Sequence, residues 1–339
     1  MNKKRVLAML LAGAMALSMT ACGGGSASSG DDSSNDGGAS ASGGSYKVSV
    51  ILKTLAAEYW QYVKSGAEDY ASEHSDKVTV EVKGPSSETA FDEMQNMIET
   101  DLSSGSYDGI VISPLQSDTA AQLVSGTKLP IVAIDTNFTA PEVKSFVGTG
   151  NEAAAKKGGE AAVEAAKAAG WTDIKCIEIA GVQGDQTNTA RMNGYKAGVE
   201  EAGGTFLSDE VQYADATADR ATTAMEAIMQ THPEGIAIIC ANNDDMAMAA
   251  ARAAQGHDAY KNTIFLGFNG DRAACEAILA GQMTMSVAQM AYEMGYKAVE
   301  TMIQVLDGET VDEFVDSGSD VVTPDNAQER LDTLKTQIH

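Results

Sequence analysis

The sequence predicts an α/β protein made of two doubly wound lobes, each built on a parallel β-sheet. From Tyr46 onward, short β-branched runs alternate with longer stretches of helical periodicity. This alternation is typical of βαβ units, whose crossover helices cover both faces of a parallel sheet. The series restarts after Gly148-Thr149-Gly150, and 339 residues are more than one ordinary domain needs. Both observations favour two similar lobes in tandem.

The individual elements follow from the period of the apolar residues. In the first half, strands are predicted at 48–52, 78–82, 109–112 and 131–134, with helices at 58–73, 91–102 and 118–124. In the second half, strands are predicted at 174–179, 211–213, 236–240, 264–268 and 283–287, with helices at 153–169, 190–202, 221–229, 246–254, 272–279 and 292–306.

Residues 1–21 have the pattern of a signal peptide. Three cationic residues at 3–5 precede an apolar run of about 14 residues, which is too short to span a membrane. The run ends Met19-Thr20-Ala21-Cys22-Gly23, and small residues before a cysteine resemble a bacterial lipobox, with Met19 in place of the usual Leu. We therefore expect a lipidated Cys22, followed by a flexible Gly/Ser-rich linker over 22–45. The alternative is an ordinary signal peptide with an incidental cysteine.

Charge and composition exclude several classes of partner. The net charge is −25 and the pI is about 4.4, which argues against nucleic acid and against a polybasic membrane patch. Cys176, Cys240 and Cys275 form no CxxC motif and have no histidine cluster near them, so neither a metal nor a cofactor is expected. Cys176 and Cys240 lie in apolar runs, which predicts buried, inert thiols.

Polar and aromatic side chains follow almost every predicted strand. Ligands of parallel α/β sheets bind at the carboxyl ends of the strands, so these residues are expected to share one site. Their planar groups can hold vicinal hydroxyls, and aromatic rings can pack on the C–H face of a sugar. Alternatively, Tyr59 and Trp60 belong to the core, and Asp135 and Asn243 are helix N-caps. The candidate binding residues are Lys53, Tyr59, Trp60, Asp135, Arg191, Asn243, Asn269 and Gln289.

From Tyr46 onward the chain resembles the sugar-binding proteins of bacterial ABC transporters, the ribose and allose type of periplasmic binding protein type I. The resemblance covers nearly the whole mature chain and implies two lobes joined by a three-segment hinge that close on a sugar. It implies an N-terminal lobe of 46–149 plus 290–316 and a C-terminal lobe of 150–289 plus 317–339. The resembling segments are 50–55 with Tyr59-Trp60, 109–114, 133–135, 190–194, 240–247, 267–270 and 280–289.

The resemblance also assigns the candidate residues to the lobes. Lys53, Tyr59, Trp60 and Asp135 match ligand contacts of the N-terminal lobe, and Arg191, Asn243, Asn269 and Gln289 match contacts of the C-terminal lobe or hinge. Four positions depart from the family pattern, which predicts a different or bulkier ligand. They are Ala57 for Asn, Thr136 for Arg, Ala216 near a missing aromatic ring, and Asn269 for Asp.

The function implied is capture of a monosaccharide, an allose- or ribose-like sugar or related polyol, for delivery to the permease and ATPase subunits of an ABC importer. The alternative is a ligand sensor that feeds a chemoreceptor or sensor kinase. The protein is expected to be a monomer, lipid-anchored to the cell membrane on its extracytoplasmic face, at the cell surface or in the periplasm. Catalysis is not expected, because GxSxG, HExxH, P-loop and GxGxxG motifs are missing and the four histidines are scattered.

Overall fold

A computed structural model describes residues 45–338 of the chain. The predicted signal peptide, the lipidation site at Cys22 and all of the linker except Ser45 lie outside the described residues, as does His339. Within the described range, every helix is too short or too polar to cross a membrane.

The described chain alternates strands and helices almost throughout. The strands are β1 (Tyr46–Ile51), β2 (Val78–Lys83), β3 (Gly109–Ile112), β4 (Ile131–Ile134), β5 (Val143–Gly148), β6 (Lys175–Ala180), β7 (Thr205–Phe206), β8 (Gln212–Tyr213), β9 (Ile238–Ala241), β10 (Ile264–Asn269), β11 (Met285–Gln289), β12 (Phe314–Asp316) and β13 (Ser319–Val322). The helices are α1 (Glu58–Glu73), α2 (Phe91–Ser104), α3 (Ser117–Val124), α4 (Asn151–Ala168), α5 (Gln186–Glu201), α6 (Ala218–Thr231), α7 (Asp244–Ala254), α8 (Arg272–Leu279), α9 (Ala291–Leu306) and α10 (Ala327–Gln337).

The strands form two sheets, and the predicted fold class of two parallel-sheet lobes is confirmed. The first sheet has the order β12-β5-β4-β3-β1-β2, and all its pairings are parallel. The second has the order β13-β11-β10-β9-β6-β7, with β8 also paired to β6, and only β13 runs antiparallel to its neighbour. Central strands such as β3, β4 and β9 are buried along their whole length, as expected for a sheet covered on both faces.

The chain passes between the two sheets at three places. It leaves the first sheet after β5, returns between β11 and α9, and passes between β12 and β13. Ser317 lies in the last passage, where its amide donates to the carbonyl of Gly148 over 2.8 Å. The guanidinium Nη2 of Arg330 donates to the carbonyl of Gln289 over 2.7 Å. One hydrogen bond therefore joins the last passage to the end of β5, and the other joins the end of β11 to α10.

Helices α1 and α9 cross on the first sheet at a pair of glycines. A Cβ at Gly66 would lie 1.9 Å from the carbonyl oxygen of Tyr292, and a Cβ at Gly295 would lie 1.9 Å from that of Val63. Because backbone atoms occupy both spaces, only glycine lets the helices approach this closely.

We expect Gly66→Ala to lower the free energy of unfolding by about 1–3 kcal/mol, since the helices must separate to admit the methyl group. Urea unfolding measures the change. Gly150→Ala is the matched control, because Gly150 has a φ of −66° and a Cβ added there would meet no atom within 4 Å. Equal stability of the two variants would contradict the close crossing.

Candidate functional site

Asp135 is the centre of a buried polar cluster at the carboxyl end of the first sheet. It follows β4 directly and has a φ of 62°, a left-handed conformation that non-glycine residues rarely adopt outside special sites. Its Oδ1 accepts a 2.8 Å hydrogen bond from the hydroxyl of Tyr59, and its Oδ2 accepts one of 2.8 Å from Thr136. The Nζ of Lys53 lies 3.8 Å from Oδ2. Asp135 precedes no helix, so the N-cap alternative is wrong for this residue.

Tyr59 and Trp60 occupy the first turn of α1. Their rings meet edge to face with centroids 5.0 Å apart, and Tyr59 is 8% and Trp60 3% exposed. The indole Nε1 of Trp60 donates to Oε1 of Glu88 over 2.8 Å. Burial, with the Asp135 carboxylate adding to it, raises the pKa of Tyr59 well above its usual value, so its hydroxyl remains a donor. Both rings thus join the core, and Tyr59 also holds the Asp135 carboxylate.

Arg191 is held rigidly on α5. Its Nε donates to Oδ1 of Asn151 over 2.8 Å, and its Nη1 donates to the carbonyl of Asn242 over 2.9 Å. The guanidinium carbon lies 3.8 Å from the ring centroid of Phe268, a cation–π contact. Among the described residues, Nη2 has no hydrogen-bond partner. The arrangement therefore fixes the guanidinium and leaves one edge available as a donor.

The other candidates of the second lobe bond chiefly to one another and to backbone. Asn243 accepts a 2.9 Å hydrogen bond from the amide of Met246 and donates one of 3.1 Å to the carbonyl of Ala216. The N-cap alternative for Asn243 is therefore confirmed, since it caps α7. Gln289 donates to Oδ1 of Asn269 over 2.9 Å. These two amides thus connect the exits of β10 and β11.

Charges of the second lobe act on the cluster of the first lobe. Burial is the main cause of the raised pKa of Tyr59; the positive charge of Arg191 opposes this shift, and the carboxylate of Asp271 adds to it. Arg191 and Asp271 of the second lobe therefore lie close enough to Tyr59 for their charges to act on it. Asp271 is half-buried, and burial together with the nearby Asp244 raises its own pKa well above the usual value.

Several site residues escape the sequence pattern. Glu88, Asn151 and Phe268 hold Trp60 or Arg191 in place, and none of them carried a signal of its own. The sequence singles out Thr136 only as a departure from the family pattern, and Asn242 adjoins the predicted Asn243, so the strand-exit rule could have assigned both to the site. Asp271 lies two residues after the end of β10, where the sequence pattern predicted Asn269 as the binding residue instead.

A carboxyl group without a partner lies beneath Arg191. Glu178, on β6, is 0% exposed, and neither of its carboxyl oxygens has a hydrogen-bond partner in the described part of the chain. Burial raises its pKa to about 8, and the charge of Arg191 opposes this shift. Nearby, the Sγ atoms of Cys176 and Cys240 lie 3.4 Å apart. Both cysteines are free and buried, which confirms the predicted burial.

Residues 48–310 match the periplasmic binding protein domain family. The chain belongs to this family of periplasmic binding proteins. The predicted resemblance to periplasmic binding proteins is thereby confirmed. Residues 45–338 contain no group of three or more His, Cys, Asp or Glu that could hold a metal ion.

Relatives of this periplasmic binding protein are named for sugars. It is 30% identical to the D-allose-binding periplasmic protein of Escherichia coli over 75% of this chain and 83% of that protein. It is 26% identical to the ribose import binding protein of Bacillus subtilis over 80% of this chain and 85% of that protein. A carbohydrate transporter solute-binding protein of Agrobacterium radiobacter, solved with D-arabinose, superposes with a TM-score of 0.76 at 24% identity, covering 88% of this chain and all of that one.

Proposed function

We propose that this chain is the substrate-binding subunit of an ABC sugar importer and that it captures a neutral monosaccharide or polyol between its lobes. The names of its relatives support the substrate class, and the residues at the strand ends supply suitable chemistry. One observation carries the proposal. A buried carboxylate, Asp135, is fixed by Tyr59 and Thr136, and across the strand ends a fixed guanidinium, Arg191, keeps Nη2 available.

These two groups are complementary to a pair of sugar hydroxyls. Asp135 accepts hydrogen bonds and Arg191 donates them, so a hydroxyl-rich ligand between them can satisfy both. Because the two residues lie on different lobes, only the closed form lets one ligand contact both. Ligand binding therefore favours closure.

The departures from the family pattern point to a ligand that needs fewer charges and more room. The family often has an arginine at the position of Thr136. Thr136 is uncharged, and its hydroxyl donates a hydrogen bond to Asp135. Ala216 has a φ of 58°, and its carbonyl accepts a hydrogen bond from Asn243. Its side chain is small, whereas the family usually has an aromatic ring near this position. We infer a hexose or an inositol-like polyol rather than a pentose.

The proposal includes the organisation of the chain. The lobes comprise 46–149 plus 290–316 and 150–289 plus 317–339, with boundaries at the three passages between the sheets. A lipidated Cys22 holds the protein at the extracytoplasmic face of the cell membrane, and the linker up to residue 45 tethers it. The closed monomer delivers its sugar to the permease, and the ATPase subunits drive import.

A thermal-shift screen over D-allose, D-ribose, other pentoses and hexoses, and inositols tests the proposed function. A sugar at 100 times its dissociation constant adds about 2.7 kcal/mol of stability, which raises the melting temperature measurably. A screen in which no sugar or polyol raises it would contradict the proposal.

For the sugar found, Asp135→Asn should weaken binding roughly tenfold to a hundredfold in calorimetry, because the charged acceptor is lost. Asparagine tolerates the left-handed backbone, so the fold is preserved. The matched control is Asp215→Asn, since Asp215 also has a positive φ of 48° but is exposed and paired with Arg220. Equal affinity of both variants would remove Asp135 from the site.

A further inference from the structure

One ion pair joins the two lobes beside the candidate site. The Nε of Arg272, the first residue of α8, lies 3.0 Å from Oε1 of Glu58, the first residue of α1. The hydroxyl of Tyr62 donates to the same oxygen over 3.2 Å, which fixes the glutamate. Among ion pairs whose two partners both lie in residues 45–338, no other joins an element of the first sheet's lobe to one of the second.

The position of Arg272 has no local explanation. A positive charge at the N-terminus of a helix opposes the helix dipole, so Arg272 is unfavourable on α8 taken alone. Glu58, by contrast, is favourable at the N-terminus of α1, where Ala57 provides no side-chain cap. Among the described residues, the ion pair of Arg272 is made with Glu58 on the other lobe, where the two helix ends meet.

The surroundings keep this pair accessible to solvent. A groove of about 430 Å³ borders it, lined by residues before and within α1 and by the end of α10. The side chains of Arg272 and Glu58 are 52% and 28% exposed. An ion pair of this exposure is weak and is screened by salt, so it can adjust an equilibrium between two forms but cannot lock one of them.

We propose that Glu58 and Arg272 are positioning residues that latch the closed form of the cleft and slow the release of the ligand. The inference rests on the proposed function, since it assumes that closure retains a sugar. The latch forms after the lobes meet, so it slows dissociation and leaves association nearly unchanged. It also holds Asp271, the neighbour of Arg272, towards the first turn of α1, where its carboxylate acts on Tyr59.

Dissociation of D-allose, followed by the stopped-flow fluorescence of the two tryptophans, Trp60 and Trp171, tests the latch. Arg272→Met and Glu58→Gln should each release the sugar about two- to fivefold faster with an unchanged association rate, the range expected of an exposed ion pair. Half-molar salt should bring the wild-type rate towards that of the variants. The charge-swapped double variant Glu58→Arg/Arg272→Glu should recover most of the wild-type rate.

The control is Lys335→Met, which removes a positive charge from the same groove; within residues 45–338, Lys335 forms its ion pair with Asp332 on its own helix. A second arm needs no sugar. Small-angle X-ray scattering of the ligand-free protein should show a larger radius of gyration in the single variants than in the wild type and the swapped variant.

The two arms separate the two proposals. If the wild type fails to bind D-allose, the proposed function is contradicted for that sugar, and the scattering arm alone decides the latch. If the single variants match the wild type in scattering and in release, the latch is overturned. A swapped variant that behaves like the single variants would overturn it as well.

Discussion

Replacing Arg191 by alanine should weaken sugar binding tenfold to a hundredfold. The variant loses the Nη2 edge and the charge that fixes ligand hydroxyls, and a hydrogen bond to a charged group contributes roughly 1.5–3 kcal/mol. Calorimetry with the sugar found in the screen measures the loss. Arg252→Ala is the matched control, because Arg252 is an exposed arginine in the last turn of α7.

The same substitution also affects the protein without ligand. It leaves Oδ1 of Asn151 and the carbonyl of Asn242 without their donor and uncovers the ring of Phe268. Arg191→Lys keeps a charge while losing the planar fork, so it should retain more stability and still lose affinity. If both Arg191 variants bind the sugar as the wild type does and remain folded, the guanidinium is not a ligand contact.

The free energy of unfolding should fall as the pH rises from about 4.5 to about 8, and Glu178 should be a main cause. Its pKa is raised from 4.5 to about 8 in the folded protein. Below pH 4.5 the carboxyl of Glu178 is protonated in both the folded and the unfolded protein, and its contribution to the free energy of unfolding is fully present. Between the two values the unfolded chain releases the proton while the folded chain keeps it, so stability falls by on the order of a few kcal/mol.

Glu178→Gln separates this effect from other titrations. Asp244, whose burial raises its pKa from 3.8 to about 6, destabilises in the same direction over a lower range and remains in the variant. Urea unfolding at several pH values should therefore give a stability difference between variant and wild type that grows up to about pH 8. The exposed Glu226→Gln provides the control. Parallel curves for Glu178→Gln and the wild type would show that Glu178 does not titrate in this range.

The pattern of the sequence was sufficient for the central elements of both sheets. The predicted bounds of α1 and α8 agree with the structure to the residue, because each helix has a clear apolar face and a strand or turn on either side. Pattern alone missed β5, β7, β12, β13 and α10. The strands β12 and β13 are three- and four-residue edge strands, and α10 is largely polar. Short edge elements are stabilised by tertiary contacts, which leave little periodicity in the sequence.

The candidate site could be located from the sequence but not resolved in detail. The strand-exit rule gathers Asp135 with Tyr59 and Lys53, and the structure does bring these three together. The role of each residue within the site depends on distances between atoms in the folded protein, which the spacing of residues along the sequence does not give. Asn243 bonds to its own helix and to a neighbouring loop, and Trp60 bonds to Glu88, a residue from another loop. The cap of Asn243 on its own helix is local and was open to prediction, whereas its bond to Ala216 and that of Trp60 to Glu88 are non-local and carry no motif.

The bonds around Gln289 have a consequence for engineering. Its side chain holds Asn269, its carbonyl is held by Arg330, and α9 begins only two residues later. On the proposed function, Gln289 therefore joins the ligand site to one of the three passages between the sheets. A fluorescent biosensor built on this scaffold should be retuned at Ala57, Thr136 and Ala216, which lie outside these passages. Changes at Gln289 would alter selectivity and signal amplitude together.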